Sequence, residues 1–232
     1  MDEGVILANL NEVRTRVGRR CQINGIERSS VTILGVTKSV SAEMASLAVK
    51  AGLTNLGENK VQEGLEKMPF VKPRPRWHLI GHLQKNKIKR AAEIFDVIES
   101  VDSLESAGSI SNRAVEGGRR MEVYLQVNSS GEQTKHGFEP GIIFNYADKI
   151  NEMPGLKLTG LMTLGPLTED EDRIRGSFEL AKSVYDKLQS ILGSEFRILS
   201  MGMSGDYEIA LDYGANELRI GTAIFGRRPT AR

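Results

Sequence analysis

The chain has 232 residues, 40% of them hydrophobic and 26% charged, with a formal net charge of +1. That length suits one large domain with a sizeable core, and the near-neutral balance gives no global attraction to nucleic acid or a membrane surface. A single cysteine, Cys21, excludes an internal disulfide and suits a reducing compartment.

The opening stretch, MDEGVILANLNEVRTRVGRR, carries acidic residues first and only a short apolar run, Val5 to Ala8. It is not a signal-peptide core, and no stretch reaches membrane-spanning length. The expectation is a cytoplasmic protein whose residues 1–24 form an N-terminal helix. After it, strand-like segments follow at 31–37, 55–58, 77–81, 95–100, 122–128, 156–163, 197–202 and 217–221. Most read as short apolar runs without alternation, which suits strands covered on both faces. Helical patterns lie between them. The clearest are 41–52, with Ser41 as N-cap and Gly52 at its end, then 101–118 and 170–192; a short helix is expected over 204–214, with Ser204 at its start.

Eight strands alternating with helices predict an α/β fold, a single (β/α)₈ TIM-type barrel over 31–226. The alternative is an open doubly wound sheet. No Pro- or Gly-rich linker divides the chain, so residues 1–232 are read as one domain.

Barrel sites form at the C-terminal ends of strands. Lys38 ends the first, Glu58 and Asn59 the second, Gly81 and His82 the third, Asn128 the fifth. Taken alone, Lys38 is a strand end meeting water; on a barrel rim it becomes a candidate amine for imine chemistry. The turns SMGMSGD (200–206) and RIGTA (219–223) put Ser204, Gly221 and Thr222 after strands seven and eight, where barrels of this kind bind phosphate. Each turn by itself is also a plain capped turn. Arg219 points either inward, as a fixed cation beside a ligand, or outward to a salt bridge. His78 and His82 lack helical metal spacing, and His136, in a Gly-rich loop, reads as a surface residue. There is no Walker A loop, GxGxxG, HExxH or Gly-x-Ser-x-Gly elbow. A lysine and a phosphate site on one rim leave two classes: a lysine forming an imine with a carbonyl substrate, as in an aldolase, or a lysine holding pyridoxal phosphate.

GVTK, LGENKVQE, WHLIGHLQKNK, GLMT, SMGMSGDYEIA and ELRIGTAIFG together resemble the pyridoxal phosphate homeostasis proteins, nearly from end to end of the chain. The resemblance implies an alanine-racemase-like barrel of fold type III that holds pyridoxal 5′-phosphate as a Schiff base on Lys38. It implies that Ser204, Gly221 and Thr222 grip the phosphate, that Arg219 faces the pyridine nitrogen, and that Asn59 and Met203 lie near the cofactor. It also implies a carrier that buffers the vitamin B6 cofactor or delivers it to apo-enzymes, not a defined enzyme. The chain stops soon after the last barrel motif, so the racemases' second domain, with its catalytic tyrosine, is not expected, and a monomer is. A weak racemase or lyase acting on small amino acids is the alternative.

Overall fold

The computed structural model describes residues 2–226. Helix α1 (Glu3–Ile23) starts where the Asp2 carboxylate accepts the Val5 N–H. Its apolar residues Ile6, Leu10, Val13, Val17 and Cys21 recur at helical spacing and are all buried. This face packs against α2 (Ala42–Lys50), α8 (Tyr207–Asp212) and α9 (Thr222–Phe225). Ion pairs from Arg16 to Glu208 and from Arg20 to Asp212 also tie α1 to α8.

Eight parallel strands follow and close into a barrel in sequence order. They are β1 (Thr32–Val36), β2 (Asn55–Glu58), β3 (Arg76–Leu79), β4 (Val97–Val101), β5 (Met121–Val127), β6 (Leu156–Thr163), β7 (Ile198–Ser200) and β8 (Glu217–Ile220). The barrel closes where β1 pairs with β8, placing Leu34 beside Arg219. The open-sheet alternative is therefore wrong: closure removes both edges. Helices α3 (Val61–Lys67), α4 (Ile88–Ile94), α5 (Leu104–Glu116), α6 (Phe144–Asn151) and α7 (Glu171–Leu192) complete the outer layer. Among the described residues, no helix is long and apolar enough to cross a membrane.

Three expectations need correction. The strands do alternate. On β8, Leu218 and Ile220 join the core beneath the helices, while Glu217 and Arg219 are buried outside it. On β3, Trp77 and Leu79 face that core while His78 does not. The runs looked continuous because both faces are buried, but the inner face mixes apolar clusters such as Leu34, Val36 and Ile80 with buried polar groups. The helix expected from residue 101 starts later: Val101 ends β4, and Ser103 caps α5 by accepting the Ser106 N–H at 3.1 Å. The helix expected from Ser204 begins at Tyr207, and Ser204 has a different partner. The two ends of the 1–232 domain reading, Met1 and 227–232, lie outside the described residues.

Candidate functional site

A cavity of about 420 Å³ opens at the C-terminal ends of the strands. That is within the range of ordinary small-molecule sites. Lys38, Asn59, Met203 and Arg219, all singled out from the sequence, line it together. Lys38 is exposed, two residues beyond β1. The strand end beneath it is held from below. Lys67 on α3 donates to the carbonyl of Thr37 at 2.6 Å and forms a buried ion pair with Glu58. The Thr37 hydroxyl donates to the same Glu58 carboxylate at 2.6 Å. Glu58 is thus not a rim group. It is fully buried, and burial raises its pKa even though Lys67 opposes the shift.

Gly81 shapes the opposite wall. A Cβ at this position would stand 2.2 Å from the carbonyl oxygen of Asn59, so no larger residue fits without moving that backbone.

Arg219 points inward. Its guanidinium is 2% exposed and donates through Nη1 to Ser200 Oγ at 2.7 Å and through Nη2 to the Thr163 carbonyl at 2.5 Å. The Ser200 hydroxyl in turn donates to Glu99 at 2.7 Å, and Glu99 shares a 2.8 Å hydrogen bond with His78. Tyr124 donates to Glu217 at 3.4 Å, a long bond that leaves the other Glu217 oxygen unpartnered among the described residues. Burial lowers the pKa of Arg219, with Glu99 and Glu217 acting against that shift. Its ordinary value is so high that it stays a cation. Burial raises Glu99, and pushes Glu217 up to about 8 with the negative charge of Glu99 adding to the effect. Two buried carboxylates beside one guanidinium therefore keep one proton between them at neutral pH.

Ser204, Gly221 and Thr222 do not line this cavity. They meet beside it, where the Ser204 hydroxyl accepts the N–H groups of Gly221 at 3.2 Å and of Ala223 at 3.1 Å. Ser204 therefore caps α9 across strands and does not start α8. Both N–H groups are thus taken up by Ser204 Oγ, which leaves the hydroxyl proton for another acceptor. Thr222 is exposed at the first turn of α9.

Residues not singled out also line the cavity, among them Gln126, Lys135 and Leu164. Two histidines named in the sequence reading, His82 and His136, belong to the cavity as well. His136 is exposed, as expected of a surface residue, yet its ring stacks on His82 with centroids 3.7 Å apart. The signal for it was present: the loop carrying His136 follows the C-terminal end of β5, on the rim where sites form.

A lysine beyond β1, an inward arginine on β8 and a serine-bridged turn after β7 and β8 define an alanine-racemase-type barrel. A family model for the alanine racemase N-terminal domain matches residues 5–229. The pyridoxal phosphate homeostasis protein of Aquifex aeolicus is 36% identical over 220 residues, covering 94% of this chain and 96% of the relative. A crystal structure of an unknown protein from Bifidobacterium adolescentis superposes with a TM-score of 0.89 at 35% identity, covering 97% of each chain. PipY of Synechococcus elongatus PCC7942, solved with PLP bound, gives a TM-score of 0.84 at 31% identity, covering 95% of this chain and 100% of PipY. The chain belongs to the pyridoxal phosphate homeostasis protein family.

Proposed function

We propose that this chain binds pyridoxal 5′-phosphate in the rim cavity, and holds it in reserve for enzymes that need it. One observation carries the reading: Lys38 and Arg219, from adjacent strands, line one cavity beside the turn where Ser204 bridges Gly221 and Ala223. An amine, a permanent cation and a hydroxyl donor for an anion are the three features that an aldehyde bearing a ring nitrogen and a phosphate requires. When bound, the cofactor supplies a reactive aldehyde and an electron-withdrawing ring.

Each residue then has a task. Lys38 provides the amine for covalent attachment. The Ser204 hydroxyl, with Gly221 and Thr222, takes the phosphate once Ser204 releases the Gly221 N–H it holds, and Asn59 and Met203 lie near the ring. Arg219 is the partner of the ring nitrogen. A guanidinium only donates hydrogen bonds, so it holds that nitrogen unprotonated and weakens the ring's electron demand. The carrier reading favours this arrangement over an enzyme that must stabilise a carbanion. The same reading makes the chain an intracellular partner of apo-enzymes.

The test is the absorption spectrum of the protein titrated with pyridoxal phosphate, beside that of Lys38→Ala. A visible band in the native chain that the variant lacks is the expected result. No band in either protein would return the site to the aldolase-like alternative, and a band surviving in the variant would assign the attachment to another lysine.

A further inference from the structure

Three side chains at the mouth of the cavity have no part in that reading. His82 follows β3, Asp102 follows β4, and His136 lies in the connection from β5 to α6, so three separate strand ends bring them together. His82 Nδ1–H donates to Asp102 Oδ2 at 3.0 Å. His136 Nδ1 lies 3.9 Å from the same oxygen, beyond hydrogen-bond range. The two rings stack almost parallel, with 10° between their planes. That hydrogen bond alone accounts for His82 and Asp102. It leaves unexplained why a second imidazole turns a nitrogen toward an oxygen it does not bond.

We infer that His82, Asp102 and His136 form a binding site for a late first-row divalent cation, with Zn²⁺ as its representative. Two imidazoles and a carboxylate are a donor set that such ions favour, and three protein ligands leave one position open. The donor atoms already lie within 4.8 Å of one another. In a tetrahedral zinc site they stand about 3.3 Å apart, so closure requires movements on the order of 1.5 Å. Parallel rings cannot both aim in-plane lone pairs at one point, so at least one ring must rotate about its Cβ–Cγ bond. The histidine side chains are free to do so, being 40% and 55% exposed. Asp102 is the fixed ligand, at 16% exposure, with its other oxygen accepting from Ser106 Oγ at 3.5 Å. His82 and His136 both line the cavity, so a bound ion would join the β5–α6 connection to the ends of β3 and β4 across its mouth.

The test uses the untagged full chain without added cofactor, which itself chelates divalent ions. Zn²⁺ is titrated in competition with a chromophoric chelator, for the native chain and for His82→Ala, Asp102→Asn and His136→Ala. Thermal denaturation without metal verifies that each variant folds. One Zn²⁺ per chain is expected. Each variant should bind more than about tenfold less tightly, since losing even a partner of a ligand costs that much. Zn²⁺ should also raise the Tm of the native chain and leave the variants unmoved. Absence of stoichiometric binding in the native chain overturns the site. So does unchanged affinity in either His136→Ala or Asp102→Asn, which would reduce the cluster to a hydrogen-bonded pair with a stacked neighbour.

Discussion

Arg219 and Ser200 are joined by a 2.7 Å hydrogen bond inside the barrel, and the same hydroxyl donates to Glu99. Ser200 therefore connects the cation lining the cavity to the buried Glu99 carboxylate, which does not line it. Ser200→Ala would leave a guanidinium N–H and a Glu99 oxygen short of a partner where neither reaches water. Such an orphaned buried group costs about 1–3 kcal/mol. Urea unfolding should show a lower midpoint with an unchanged slope. On the cofactor reading, the pyridoxal phosphate affinity should fall as well, because Arg219 loses one of the two bonds that orient it. Unchanged stability and affinity together would mean that the Thr163 carbonyl alone fixes the guanidinium.

The Glu99–Glu217 pair gives the fold a pH dependence of defined sign. Glu217 has its pKa raised from 4.5 to about 8, so between those values the folded chain binds a proton that the unfolded chain has released. This contribution to stability is complete below pH 4.5 and is lost as pH rises through about 8. His78, lowered from 6.5 by burial, acts in the opposite sense: its share of stability is present above that value and falls away on acidification. A Glu217→Gln variant removes the Glu217 part of this dependence. By taking away a carboxylate that raises the His78 pKa, it leaves His78 further lowered, a change felt below about pH 6.5. Relative to native, the variant should gain stability as pH goes from about 6 to about 9, measured as the difference in urea midpoints. A flat difference would show that the pair does not hold the proton.

Lys67 and Glu58 make a buried ion pair under the end of β1. Lys67→Met removes the counter-charge from a carboxylate that has no access to water, and also strips a donor from the Thr37 carbonyl. Breaking such a pair from one side costs about 3–5 kcal/mol, whereas replacing both charges with apolar groups is often near neutral. The single variant should therefore lower the Tm strongly, and adding Glu58→Leu should restore much of it. Because Thr37 adjoins Lys38, the single variant should also weaken the visible band with pyridoxal phosphate. A single variant as stable as native would show that Glu58 is neutral in the fold.

Read alone, the sequence determined the eight strand–helix units, the closed-barrel expectation and the grouping of strand-end residues on one rim. Each rests on information local in the chain: apolar runs, helix-end signals such as Ser41 and Gly52, and the rule that parallel strands end on one face. Together with the family resemblance it singled out Lys38, Asn59, Met203 and Arg219, which line a single cavity. The tertiary structure alone decided which way Arg219 points, because inward and outward positions on a doubly buried strand look alike until β1 closes against β8. It also decided that Ser204 caps α9 across strands, and that Glu58 is a buried partner of Lys67 instead of a ligand group. The stacked His82 and His136 became visible only there too. The hydrogen bond between Glu99 and Ser200 spans 101 positions in the chain, and no local pattern encodes a contact of that separation. Pairings of this kind depend on the barrel's curvature bringing inner faces together, a property of the closed sheet and not of any one strand.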